Sequence, residues 1–236
     1  YTTLFRSELI TNVSHDLKTP LTSIISYVDL LKKEDMLPDH VKDYIRILAQ
    51  KSERLKTLIQ DIFDLSKAVS GEMEFEKKAL DLGKLIEQTL ADLDDPIAQS
   101  QLKFKINIPD DPVPIISDGN KLYRVFLNLF QNTLKYSLKG TRVYVDLVTN
   151  DKKAIVTIKN IANYEMNFSE EEIIERFVRG DKARSTEGSG LGLAIAQSFT
   201  RACGGDFNIK IDGDLFKVML TFDIKSDKII EKDEMK

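Results

Sequence analysis

Leu9-Ile10-Thr11-Asn12-Val13-Ser14-His15-Asp16-Leu17-Lys18-Thr19-Pro20-Leu21-Thr22-Ser23-Ile24 carries two patterns at once. Leu9, Val13, Leu17, Leu21 and Ile24 recur at spacings of three and four and continue through Val28 and Leu31, the apolar stripe of a helix. At about 100° per residue these seven positions fall within an arc of roughly 120°. His15 lies roughly 200° round the helical wheel from Val13, among Thr11, Lys18, Thr19, Thr22 and Ser26. The spacing predicts one helix over residues 4–35, with the histidine on its polar side.

Met36-Leu37-Pro38-Asp39 interrupts the stripe as a turn, and a second helix follows over residues 39–69. Its stripe is Val41, Ile45, Leu48, Leu55, Ile59 and Ile62, in heptad register with Ser52 as the polar interruption. Tyr44, Ile47, Leu58 and Leu65 widen it, so a single hairpin leaves apolar surface uncovered. Dimerisation into a four-helix bundle covers that surface; packing against the rest of the same chain is the other solution.

Ser70-Gly71 marks a boundary, after which the periodicity changes repeatedly, as in a mixed α/β domain. Strands are expected at Met73–Lys77, Leu102–Ile108, Arg142–Thr149, Ala154–Asn160, Phe207–Ile211 and Phe216–Ile224. Helices are expected at Leu82–Ala98, Asn120–Ser137 and Leu191–Cys203. The polar stretch from Ile161 to Ser189 is long enough to be a lid or binding loop. The division is therefore 1–70 for the hairpin, 71–225 for the α/β domain and 226–236 for a charged tail.

His15 is an exposed imidazole beside the Asp16 carboxylate, which can hold one ring nitrogen protonated and leave the other free to attack. Thr19 lies one turn on, and Pro20 removes a backbone hydrogen bond just past the histidine. Spacing alone fits an ordinary surface histidine of a coiled coil equally well. His40, the other histidine, belongs to the distant turn, which disfavours a metal site.

Two further stretches carry chemistry. Gly188-Ser189-Gly190-Leu191-Gly192-Leu193 precedes a predicted helix, where free N–H groups and absent side chains let backbone approach a phosphate. It lacks the Gly-Lys-Ser/Thr of a Walker loop, and no strand leads into it as a Rossmann fingerprint requires. Asn128-Leu129-Phe130-Gln131-Asn132-Thr133-Leu134-Lys135-Tyr136-Ser137 places Asn128, Asn132 and Lys135 on one helix face. Amide oxygens there suit a hard Mg²⁺, and the lysine suits phosphate.

Ser14–Thr22 closely resembles the H-box of two-component sensor histidine kinases, in which the histidine is phosphorylated. Asn128–Ser137 resembles the N-box, Glu175-Arg176-Phe177-Val178-Arg179-Gly180-Asp181 the F-box, and Gly188–Leu193 the glycine box that ends the ATP lid. The resemblance spans Phe5 to Ile224 and implies a dimeric helical hairpin followed by an α/β sandwich ATP-binding domain, a mixed sheet covered by helices. It implies His15, Asp16 and Thr19 as catalytic residues, Asn132 as the metal ligand, and ATP with Mg²⁺ as cofactors. Nucleotide contacts are implied for Asn128, Asn132, Lys135, Tyr136, Asn160, Phe177, Arg179, Arg184, Gly188, Gly190, Leu191 and Gly192. The implied partners are a second copy and a response-regulator receiver domain, whose dephosphorylation Asp16 and Thr19 would also support. One motif departs: where the family carries Asp-x-Gly-x-Gly, this chain has Asn160-Ile161-Ala162-Asn163-Tyr164. Asn160 still accepts a hydrogen bond from adenine, without the charge that strengthens it.

The bulk properties are compatible. A net charge of −4 gives no nucleic-acid footprint, and the lone Cys203 excludes an internal disulfide. No run of about 18 apolar residues is present. A chain opening on Tyr1 reads as a piece of a longer receptor, acting on the cytoplasmic side of a membrane it meets only through another segment. Two alternatives remain, a nucleotide-binding scaffold without phosphotransfer and an ATPase of the chaperone and mismatch-repair type.

Overall fold

The computed structural model describes residues 2–34, 36–150, 152–166, 172 and 191–225, with the backbone alone for 2–16 and Val69. Its contacts separate two units, Tyr1–Met73 and Glu74–Lys236.

The first unit is a hairpin of α1, Thr2–Leu31, and α2, Asp39–Ser70. α1 runs unbroken through Pro20, whose ring nitrogen has no hydrogen to give the Asp16 carbonyl. Pro38 starts α2 by receiving the Val41 and Lys42 N–H groups, and Gly71 ends it at φ 76°, a left-handed conformation cheap only for glycine. The seam is narrower than the sequence suggests. Leu21 and Val28 of α1 and Ile45, Ser52 and Ile59 of α2 are buried, each set seven residues apart. The intervening positions, Leu17, Ile24 and Leu31 with Leu48, Leu55 and Ile62, are exposed and also spaced by seven. One antiparallel neighbour covers one heptad position per helix; the second position faces outward.

The second unit is a two-layer α/β sandwich. β1 (Lys78–Asp81) and β3 (Pro114–Ser117) form a small antiparallel pair. The main sheet has the order β2-β4-β5-β7-β6, from Lys103–Asn107, Arg142–Thr149, Lys153–Ile161, Leu215–Asp223 and Asp206–Asp212. β2 runs parallel to β4 and every other pair is antiparallel, giving a mixed sheet. Val143, Val145, Leu147, Val156, Ile158, Val218 and Leu220 are buried along its inner face. The helices on that side are α3 (Leu82–Ala91), α5 (Gly119–Tyr136) and α6 (Gly192–Ala202), and a short α4 (Asp94–Gln99) that buries no residue follows α3. α5 buries Leu122, Val125, Phe126, Leu129, Phe130 and Thr133, a stripe of helical period. Phe126 and Phe130 stack at 6.3 Å and are fully buried, each contributing about 2–3 kcal/mol by area.

Three expectations need correction. Residues 73–77 form no strand; the Glu76 N–H donates to Asp118 Oδ2 at 3.1 Å, and pairing begins at Lys78. The helix expected over Leu82–Ala98 breaks at Asp92-Leu93, because the ring of Pro96 clashes with the carbonyl four residues back. β3 was not anticipated, since Pro114-Ile115-Ile116-Ser117 is short and begins on a proline that loses a ladder donor. Asp81 and Asp118 then hold this region together as helix caps. Asp81 Oδ1 accepts from Gly83 and Lys84 on α3 and from Val113, and Asp118 Oδ1 accepts from Lys121 on α5.

Gly205 has no room for a side chain. A Cβ there would lie 2.5 Å from Phe222 Cε1 and 3.0 Å from the Thr221 carbonyl oxygen, and Phe222 is itself core at 3% exposure. Gly205→Ala is expected to cost about 1–3 kcal/mol by overpacking. Circular dichroism on heating checks this: the unfolding of the second unit should begin several degrees earlier, and an unchanged midpoint would refute the clash.

Candidate nucleotide site

The exit of β5 is tied to the end of α5. Leu138 N donates to Ile161 O at 2.8 Å and Asn163 N to Tyr136 O at 2.9 Å, while Ala162 N reaches Asp214 O at 2.8 Å. This lacing brings the last turn of α5, Asn132–Tyr136, against the strand end, with a cavity between them. About 360 Å³ there is free of protein atoms, open solvent at its mouth included. Asn132, Thr133 and Tyr136 of α5 line it, with Asn160, Ala162, Tyr164 and Met166 from β5 and beyond, Leu193 of α6, and Phe216 of β7.

Asn160 is 4% exposed and sits in register with Phe216 on β7. Its amide is the polar group at an otherwise apolar part of the wall, offering an oxygen acceptor and an N–H₂ donor. Tyr164 stands edge-on to Tyr136, ring centroids 6.1 Å apart at 84°. Partial burial, and secondarily the neighbouring Tyr136, raises the Tyr164 phenol above its ordinary value, so it remains neutral at physiological pH. The replacement of two glycines by Ala162 and Tyr164 therefore leaves the segment lining the cavity, with an aromatic pair at its rim.

Asn128 and Asn132, one helical turn apart, both lie against the first residue of α6. Asn128 Nδ2 donates to Arg124 O at 2.9 Å, which turns its Oδ1 away from its own helix. A Cβ on Gly192 would fall 3.1 Å from that Oδ1 and 3.6 Å from Asn132 Nδ2. A side chain at 192 would thus crowd Asn128, which would have to shift by a few tenths of an ångström. The N–H groups of a helix's first turn, which find no partner within the helix itself, favour an anion beside them. Lys135 Nζ lies 4.8 Å from the centroid of the Tyr136 ring, at the same end of α5. Asn132 is half-buried and its amide oxygen is a hard donor, so the residues present fit a Mg²⁺ that keeps most of its waters.

The structure brings Asn132, Tyr136 and Asn160 to one cavity, with Asn128, Lys135, Leu191 and Gly192 beside it. Phe177, Arg179, Arg184, Gly188 and Gly190 lie outside the described residues. His15 and Asp16 belong to α1 in the other unit, where the following Lys18 and Thr19 are exposed. Sequence reasoning missed Thr133, Met166, Leu193 and Phe216. Each is an apolar or core-like position whose role depends on which strand end the helix meets.

The chain thus pairs a helical hairpin bearing a histidine with a sandwich that has a cavity at its α5–β5 junction. The family model for the His Kinase A (phospho-acceptor) domain matches residues 5–71. That for the histidine kinase-, DNA gyrase B- and HSP90-like ATPase matches residues 117–226. The sensor protein VanSC of Enterococcus gallinarum is 32% identical over 86% of this chain and 56% of its own length. The sensor histidine kinase WalK of Bacillus subtilis is 29% identical over 97% of this chain and 38% of its own. The chain thus spans about half or less of these relatives. Among solved structures, full-length ShkA in complex with AMPPNP superposes with a TM-score of 0.77 at 19% identity, covering 93% of this chain and 46% of that one. The histidine kinase AdeS of Acinetobacter baumannii gives 0.66 at 19% identity, over 90% of this chain and 98% of that one. The chain belongs to the two-component sensor histidine kinases and carries their ATP-dependent catalytic core. Among the described residues no helix is long and apolar enough to cross a membrane.

Proposed function

We propose that this chain transfers the γ-phosphate of ATP to its own His15 and then to an aspartate of a response regulator. The observation that carries the reading is the convergence of Asn132, Tyr136 and Asn160 on one cavity, next to the close approach of Asn128 to Gly192 at the start of α6. Asn160 accepts from the adenine amine, and the α6 start with Lys135 takes the phosphates. Asn132, with Asn128 adjacent, would hold Mg²⁺, which neutralises phosphate charge. The Asp16 carboxylate keeps one His15 nitrogen protonated so that the lone pair of the other attacks phosphorus. The bond from phosphorus to the bridging oxygen breaks, ADP leaves with that electron pair, and the imidazole sheds a proton to Asp16 or water. Thr19 and Asp16 support the reverse traffic, hydrolysis of the regulator's phosphoaspartate. The core works on the cytoplasmic side of an anchored receptor.

Incubation with γ-labelled ATP and Mg²⁺ tests this. Label that acid removes and alkali leaves marks phosphohistidine; absence of label on folded protein that still binds a fluorescent ATP analogue would favour a scaffold.

The exposed heptad positions of the hairpin support a homodimer. Leu48 and Leu55 are 51% and 47% exposed on one stripe, apolar surface that a second copy would cover. Leu48→Glu with Leu55→Glu is expected to convert the dimer to monomer, shifting its association constant by at least about 100-fold. Sedimentation equilibrium reads the change, and a variant that stays dimeric would place the interface elsewhere.

A further inference from the structure

The outer face of the main sheet carries a row of lysines that the nucleotide chemistry does not use. Strand registers align Lys105 with Tyr144, Tyr144 with Lys159, Lys159 with Lys217, and Lys217 with Lys210. The row crosses all five strands, and at about 4.8 Å per strand it is roughly 19 Å long. Lys103 and Arg142, paired in the adjacent row, extend the positive charge by one strand repeat. Lys105, Lys103, Arg142 and Lys210 are exposed, and Lys159 and Lys217 half-exposed.

Such a row has a cost. Like charges directly opposite on neighbouring strands destabilise a sheet, and Lys159–Lys217 and Lys217–Lys210 are both direct pairs. Lys105 and Lys210 are on the edge strands, where lysine discourages edge-to-edge pairing. That purpose does not extend to Lys159 and Lys217, which are on the central strands β5 and β7. Lys159 is offset by Asp146 at 2.9 Å and by the Tyr144 ring at 5.3 Å. Lys217, Lys210 and Lys105 form no ion pair among the described residues.

We infer that this strip docks the acidic face of a helix in a partner protein. Carboxylates alternating at three and four residues along a helix recur about every 5 Å, given a rise of 1.5 Å per residue. That spacing follows the strand spacing closely enough for flexible lysines to take up the difference. The width also favours a single helix over a plane. Toward the far end of the same face the sheet carries Asp206 and Asp223, so an anionic membrane lying flat would meet carboxylates as well as lysines. The strip backs onto the cavity, since Lys159 precedes Asn160 and Lys217 follows Phe216. A docked helix therefore lies one sheet thickness from the bound base.

The test is fluorescence anisotropy of a labelled alanine-based helical peptide with glutamates on one face, titrated with the whole chain. Binding should weaken as salt is raised from about 50 to about 300 mM, which shortens the Debye length. Lys105→Glu with Lys217→Glu should weaken it at least about tenfold, while Lys84→Glu with Lys139→Glu, exposed but off the strip, should leave it unchanged. Unaltered thermal unfolding of both pairs separates lost binding from lost folding. The proposal falls if a proline-broken peptide of the same charge binds equally, or if the two variant pairs weaken binding alike. It falls too if phosphatidylserine vesicles bind through the strip and the peptide does not.

Discussion

His15→Gln yields a folded, dimeric, ATP-binding protein that takes up no phosphate from γ-labelled ATP. Glutamine is a good helix former, so α1 persists through the substitution. The cavity with Asn132, Tyr136 and Asn160 belongs to the second unit, so a fluorescent ATP analogue binds as before. What is lost is the lone pair that, on the proposed mechanism, attacks phosphorus, and the glutamine amide offers no comparable nucleophile. Removing a nucleophile closes its pathway, and the fall in labelling should exceed about 10³-fold. Retained label at the wild-type level would move the acceptor elsewhere, first to His40, the only other histidine. Mass spectrometry of the labelled peptide decides between the two.

Elements defined by periodicity were readable in the sequence. Arg142–Thr149 alternates inward Val143, Val145 and Leu147 with outward Arg142, Tyr144, Asp146 and Val148, and the strand occupies the expected span. The two long helices follow from their stripes. The readings that failed did so where a single side chain overrides the pattern. Met73 and Phe75 alternate as in a strand, but Glu76 gives its N–H to a helix cap on Asp118. Pro96 divides a helix that its apolar residues would have continued. In the hairpin both heptad positions are apolar, and sequence does not say which one the intrachain partner covers; Leu21 and Val28 are inside, Leu17 and Ile24 outside.

The cavity lining was legible at its amides and opaque at Thr133, Met166, Leu193 and Phe216. Asn132 and Asn160 are conspicuous as amides on elements otherwise committed to the core. Met166 and Phe216 differ in nothing from other core residues until Ala162 is tied to Asp214 and Tyr136 to Asn163. The Asn160–Tyr164 departure was visible as a change of residue type. Its consequence, a Tyr136–Tyr164 pair at the rim, depends on two aromatics 28 residues apart meeting only in the fold.

Asn132→Ala should leave folding intact and lower the autophosphorylation rate by about 10²–10³-fold at fixed Mg²⁺ and ATP, the usual cost of removing one group that stabilises developing charge. Asn132 is half-buried at the cavity wall, so its truncation opens no core void comparable with the loss of Phe126 or Phe130. The α5 caps, Asp118 at one end and the Leu138–Ile161 bond beyond the other, do not involve it. The side chain faces the start of α6 through Gly192, which places its amide where phosphates and a hard cation would meet. If its oxygen is a metal ligand, the deficit shrinks as Mg²⁺ is raised at constant ATP, because weaker coordination is compensated by mass action. If its amide instead contacts the nucleotide directly, raising Mg²⁺ recovers nothing and the apparent KM for ATP carries the change. Rate against Mg²⁺ for the two proteins separates these. Equal rates at all Mg²⁺ concentrations would remove Asn132 from the site altogether and leave the phosphate end to Asn128, Lys135 and the α6 start.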